Sequence, residues 1–262
     1  MRSFPAELAG ARIVVVSPHL DDAALSLGAT VARAARAGAD VVVATVFAGD
    51  PSSDTPAGDW DGRCGFATLG DAASARRAED ERACAALGAT PVWLSFSDEQ
   101  YAPESDDTIW DALAPIVGDA DVVLVPGSPL ANADHMRLAA LLVPRLRTPH
   151  LALYAEQPYA ANVLIGRGHS WRPFAAAARI GLRSRLGRRP AARRVPEPVA
   201  RLVPAELEWR PVPRTRRDVA AKVAAIRAYE SQWAGLGMQL LTRIRLHELV
   251  EGGEYVALAR VP

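Results

Sequence analysis

Along the 262 residues, runs of β-branched apolar positions alternate with stretches of helical periodicity. Residues 11–17, 40–47, 90–96, 121–125 and 150–155 are short apolar runs of the kind that form buried parallel strands, apolar on both faces. Between them, 22–37, 71–87, 108–117 and 133–146 carry helical spacing, and the first three of these end at Gly38, Gly88 and Gly118. A polar loop rich in Gly, Asp and Pro fills 48–70, and Pro126-Gly127 is expected to break the fourth strand. From 157 to 213 the pattern dissolves into Pro-, Gly- and Arg-rich sequence. Helices at 216–231 and 236–249 and a closing strand at 254–259 follow. The β-α-β-α order predicts an α/β fold, a Rossmann-like three-layer sandwich with a mostly parallel sheet, plus an Arg-rich insertion and C-terminal helices. A chain of this length most simply makes one domain, 1–262, with the insertion or lid at about 160–201.

Composition narrows the partners. Thirty basic and thirty acidic residues cancel, so no global field draws nucleic acid or a membrane. Lys222 is the single lysine, the rest of the positive charge being arginine. Cys64 and Cys84 form no CxxC pair and read as free thiols of a reducing compartment. No stretch approaches the roughly 20 apolar residues that span a bilayer, and the N-terminus lacks a long apolar segment. The expectation is a cytoplasmic protein. Local charge is uneven: 160–201 holds ten arginines and one acid, Glu197, with Phe174, Ala178, Leu182 and Leu186 recurring every four residues. Such a segment can meet an anionic membrane surface or an acidic carrier protein, or act as a lid.

Two clusters carry the candidate chemistry. Ser17-Pro18-His19-Leu20-Asp21-Asp22 lies where the first strand stops and a helix starts, and Asn132-Ala133-Asp134-His135 follows the fourth strand. In the common doubly wound order, strands one and four are neighbours, and the crevice outside their carboxyl ends binds ligand. The first loop has no glycine before Gly28 and carries two acids, which excludes a phosphate-cradling dinucleotide turn.

Catalytic zinc takes three protein ligands and leaves a further position open. His19, Asp22 and His135 fit that count, with Asp21 free to act as general base. Each acid alone has a plainer reading as a helix cap or first-turn residue. The joint pattern is what points to a metal.

The motif Pro18-His19-Leu20-Asp21-Asp22 resembles the PHPDD-type signature of the PIG-L/LmbE-like zinc-dependent N-acetylglucosaminyl deacetylases. Arg76-x-x-Glu79 with Ala83 and Leu87-Gly88, the Asp134-His135 pair, the segment Leu153 to Tyr159, Lys222, and Tyr229-x-Ser231-Gln232 are similar to further stretches of that family in the same order. The resemblance implies a metal-dependent hydrolase that removes an N-acetyl or N-acyl group from a glucosamine-type sugar, in a bacterial conjugate or natural-product pathway. It implies Zn2+, or another divalent ion such as Fe2+, held by His19, Asp22 and His135, with Asp21 as base. The family usually has His-x-Asp-His at the second motif, whereas Asn132 stands first here. Asn132 donates a hydrogen bond to an oxyanion but transfers no proton, so Asp21 acts alone or another histidine such as His169 assists. Asp134 is expected to orient a neighbouring side chain. Two alternatives stay open: an amidase acting on a sugar–thiol conjugate, and a degenerate member that binds sugar or metal without turnover.

Asp50, Arg76 and Tyr159 are further substrate-binding candidates. Arg76 equally suits an ion pair with Glu79 one helical turn on, and Asp50 a polar loop role. Trp60 and Trp93 are candidates to stack on a sugar, with packing the better reading for Trp93.

Overall fold

The structure is a computed structural model, and it describes residues 9–101, 104–146, 151–165, 208–237 and 240–258. Most of the arginine-rich segment, with the Phe174 to Leu186 pattern, Glu197 and His169, lies outside the described residues.

In chain order the strands are β1 (Arg12–Ser17), β2 (Asp40–Thr45), β3 (Thr90–Trp93), β4 (Val122–Ser128), β5 (Leu151–Ala155), β6 (Glu208–Val212) and β7 (Glu254–Leu258). The helices are α1 (Asp22–Arg36), α2 (Asp59–Arg63), α3 (Leu69–Leu87), α4 (Asp106–Val117), α5 (Ala133–Leu142), α6 (Tyr159–Ile165), α7 (Arg216–Arg227), α8 (Trp233–Leu236) and α9 (Leu240–Glu251). They surround a seven-stranded sheet of order β3-β2-β1-β4-β5-β7-β6. From β3 through β2, β1 and β4 to β5 the strands pair in parallel, and β7 runs antiparallel to both β5 and β6. The last strand thus lies between β5 and β6, in one sheet with the rest.

Both faces of the sheet are covered. Val14 and Val16 point into one apolar core, with Leu113, Leu138 and Leu142, while Ile13 and Val15 point into the other, with Leu27, Val31 and Tyr154. A strand buried on two sides needs apolar residues at every position, which is why β1 reads as an unbroken run.

The expected strands and helices are present, with four corrections. First, β4 does not stop at Pro126-Gly127 but continues to Ser128 through a register shift against β5. A Cβ on Gly127 would lie 2.5 Å from the Cβ of Leu153, so glycine here permits the two strands to approach. Second, the 48–70 loop contains the short helix α2. Third, α3 begins two residues early, because Thr68 and Asp71 close a capping box. Fourth, α6 and β6 form inside the supposedly patternless stretch, and the helices expected at 216–231 and 236–249 are divided into α7, a 3-10 turn at Glu230–Gln232, α8 and α9. Pro211 is tolerated because β6 is an edge strand.

The C-terminal half is fixed to α1 by a buried charged cluster. Lys222 Nζ donates to Glu248 at 2.5 Å and to Glu254 at 2.6 Å, and Arg214 holds the other oxygen of Glu248 at 2.6 Å. Glu254 also accepts the backbone N–H groups of Ala29 and Thr30 within α1, at 2.9 and 2.7 Å. A Cβ on Gly28 would come within 2.9 Å of the Lys222 side chain, so α1 and α7 pack at a glycine.

Candidate metal centre

The carboxyl ends of β1 and β4 are adjacent, as the sheet order requires, and the two clusters meet there. His19 leaves β1 in a loop tied by Ser17, whose hydroxyl donates to the His19 carbonyl at 2.8 Å and accepts the Ala23 N–H at 3.1 Å. Asp22 opens α1, and its Oδ2 accepts the His19 backbone N–H at 2.9 Å. On the other side Asn132 caps α5, its Oδ1 accepting from Asp134 N–H at 2.8 Å. That cap places Asp134 and His135 in the first turn of α5.

Three donor atoms converge. His19 Nδ1 lies 3.2 Å from Asp22 Oδ2, His135 Nε2 lies 3.1 Å from the same oxygen, and the two ring nitrogens are 3.3 Å apart. Ligands about 2.0–2.1 Å from a tetrahedral zinc stand about 3.3 Å from one another. The residues present therefore fit such an ion. His135 and Asp22 are buried, and His19 is partly open to the cavity, its side chain 24% exposed.

Each imidazole has a carboxylate on its other nitrogen. Asp134 Oδ2 lies 3.1 Å from Nε2 of His19, and Glu156 bonds Nδ1 of His135. Asp134 is itself steadied by the Glu99 backbone N–H at 3.1 Å, and Glu156 by the Leu130 N–H at 2.6 Å. Such outer carboxylates fix ring orientation and raise ligand basicity. Glu156 lay in the Leu153 to Tyr159 segment without an assigned role. Its only sequence signal is an acid just past the end of a buried strand.

Electrostatics in this cluster favour a cation. Burial opposes charge on His19, yet hydrogen bonds to Asp134 and Asp22 push it up to about 10. Burial likewise opposes charge on His135, and Asp22 and Glu156 push it up to about 9. Burial would raise Asp22, but the two histidines hold it well below the usual carboxylate range. The same carboxylates that draw protons to these rings also draw a divalent ion, which must displace those protons to bind.

Asp21 sits beside this triangle, buried, with φ 140° and ψ −29°. It occupies the N-cap position of α1 but makes no capping bond with its side chain. Burial, then the Asp22 charge, raise its pKa well above the ordinary value. It lines a cavity of about 300 Å³ together with His19, Asp22, Asn132 and Asp134.

The remaining candidates divide. Arg76 lines the cavity, and it pairs with buried Asp61 at 2.5 Å, not with Glu79 as one helical turn suggested. Its Nε and Nη2 are buried without a partner. Tyr159 lines the cavity with its ring edge-on to His135 at 5.4 Å, and burial, then the Asp22 charge, raises the pKa of its hydroxyl. Asp50 is exposed and turns back to Ser52 N–H and Oγ at 2.9 and 2.8 Å, away from the cavity lining. Trp60 is on the cavity wall, whereas Trp93 donates to Asp80 at 2.7 Å. Both cysteines are free, and Cys84 is buried. No described helix is long and apolar enough to cross a membrane.

A sheet whose order reverses at β1 and β4, with His19, Asp22 and His135 gathered at that point, defines an α/β protein with a candidate metal site. The family model PIG-L, GlcNAc-PI de-N-acetylase, matches residues 14–145, half of the chain. The chain belongs to the PIG-L family. No curated protein is matched by sequence. Among solved structures, the chain is similar to the A40926 pseudoaglycone deacetylase Dbv21, at 23% identity and TM-score 0.70, covering 95% of this chain and 96% of that one. A deacetylase triple mutant of the teicoplanin biosynthetic pathway is 24% identical, with TM-score 0.71 and coverage of 95% and 98%. The N,N'-diacetylchitobiose deacetylase from Pyrococcus horikoshii is 16% identical, with TM-score 0.53 and coverage of 99% and 88%. At these identities the likeness establishes the fold.

Proposed function

We propose that the protein is a metal-dependent hydrolase that removes the acyl group, in the first instance acetyl, from an N-acylated glucosamine-type sugar. The observation that carries this reading is the triangle of His19 Nδ1, Asp22 Oδ2 and His135 Nε2, with sides of 3.1–3.3 Å, beside the buried Asp21 carboxyl. His19, Asp22 and His135 hold the cation, and two imidazoles with one carboxylate suit zinc, with Fe2+ as the next choice. When bound, the ion supplies Lewis-acid polarisation and activation of water.

The chain's own residues supply the rest. Asp21 accepts the proton of the attacking water and returns it to the departing amine. Asn132 has committed its Oδ1 to the α5 cap, which leaves its amide NH2 to donate into the cavity that Tyr159 also lines. That NH2 and the neutral Tyr159 hydroxyl are the donors available to the oxyanion, where the family usually has a histidine. Arg76 lines the cavity with its guanidinium held by Asp61, and contributes positive charge toward sugar oxygens.

Deacetylases of glycopeptide antibiotic pathways share this fold, so an amino sugar on a natural-product aglycone is the first substrate to test. The ten arginines of 160–201 give that stretch of sequence a positive charge suited to an anionic aglycone or carrier. Metal-loaded protein incubated with N-acetylglucosamine conjugates is expected to release acetate, and Asp21→Ala to release none above background. Intact conjugates after prolonged incubation with loaded wild type would defeat the proposal. Cleavage confined to a cysteine–sugar amide would move the substrate to the thiol conjugates.

A further inference from the structure

Glu79 of α3 and the Ser231-Gln232 pair have no part in the chemistry above, yet they are tied to each other and to the site. Glu79 is buried, and its two oxygens accept the Ser231 N–H and Oγ–H, each at 2.7 Å. Ser231 and Gln232 lie in a single 3-10 turn, Glu230–Gln232, so anchoring one places the other. Gln232 is also buried, and its Nε2 donates to the Leu20 carbonyl at 2.7 Å. Leu20 directly precedes Asp21.

That last bond acts on a strained residue. A non-glycine residue at φ 140° costs about 1–3 kcal/mol and persists only where surrounding groups over-determine it. The Leu20–Asp21 peptide is planar. Fixing the Leu20 oxygen therefore fixes the plane from which the φ of Asp21 is measured. On the far side of Asp21, its carbonyl accepts the Leu25 N–H at 2.9 Å in the first turn of α1. Asp21 is thus held between the helix and the Gln232 amide, and its side chain is freed from capping to line the cavity.

We infer that Gln232 is a positioning residue for the general base. Anchored by Glu79 through Ser231, it clamps the Leu20 carbonyl and keeps Asp21 in the conformation that aims its carboxylate at the substrate. The inference rests on Asp21 being the base. It explains why an acid in α3 and a Ser-Gln pair some 150 residues later belong to one constellation.

The test uses the full, metal-loaded chain and Gln232→Met, which keeps the side chain's length and removes its donor. Glu79→Gln, which loosens the anchor, is the second variant should the first fail to fold. A crystal structure of either variant reads the clamp without any need for turnover. Residue 21 is expected to leave the positive-φ region, and a φ still near 140° would overturn the inference. In kinetics, kcat is expected to fall about 10²-fold, with KM and metal content little changed. Adding Gln232→Met to Asp21→Asn should cost nothing more, since the clamp acts through the carboxylate. A raised KM with unchanged kcat would make Gln232 a substrate contact, and multiplicative losses in the double variant would make it independent of Asp21. Either would overturn the inference. A wild type that cleaves no conjugate, in a protein whose variant has lost the strained φ, would sink the deacylation reading and keep the clamp.

Discussion

Asp134 Oδ2 lies 3.1 Å from Nε2 of His19, on the ring edge opposite the nitrogen that faces Asp22 and His135. Glu156 does the same for His135. Both imidazoles are therefore oriented from behind, and each presents a chosen nitrogen to the centre. Asp134→Asn and Glu156→Gln should each weaken metal binding by about 10–100-fold. Competition with a chelator measures this, and affinities within twofold of wild type would contradict it.

The conformation of Asp21 has its own energetic signature. Glycine adopts positive φ freely, whereas alanine carries the same strain as aspartate. Asp21→Gly and Asp21→Ala remove the same charge, so their difference isolates the backbone. Asp21→Gly should be the more stable by about 1–3 kcal/mol in denaturant unfolding. Equal stability would show that the backbone relaxes without cost.

How far the sequence foretold this centre can be followed residue by residue. That His19, Asp22 and His135 meet was legible because a loop after a buried strand has a predictable place in a doubly wound sheet. Counting strands placed β1 beside β4. Glu156 was not legible, because an acid after β5 looks like any loop acid until it is seen to share two partners across the site. The Arg76–Glu79 pairing failed because helical spacing reports only neighbours on the same helix. Asp61 came from a short helix within the polar loop and took Arg76. The edge strand β6 was hidden by Pro211, which weakens strand patterns yet is harmless at an edge.

Lys222, the single lysine, is the cation between two buried acids. Replacing it with methionine would leave Glu248 and Glu254 close together without their shared partner. Lys222→Met should lose about 3–5 kcal/mol of stability. Urea unfolding tests this, and a loss under about 1 kcal/mol would contradict the cluster's role.

Stability should decline at alkaline pH. Burial opposes charge on Lys222, but Glu248 and Glu254 raise its pKa, so folding favours the protonated amine. Burial, then the Asp22 charge, raises Tyr154, and burial, then Asp80, raises Tyr229. All three hold protons more tightly folded than unfolded. Their contribution is complete below the unfolded values of about 10 and is lost as pH rises above them. Absorbance of tyrosinate from these two buried rings should appear only together with loss of circular dichroism. Their ionisation while the fold persists would contradict this.

The most direct test of the whole account is the stoichiometry of bound metal. Wild-type protein equilibrated with zinc and freed of excess ion should retain one ion per chain, while His19→Ala, Asp22→Ala and His135→Ala each retain under about a tenth of that. A wild type that keeps none, or three variants that keep as much as wild type, would contradict the account.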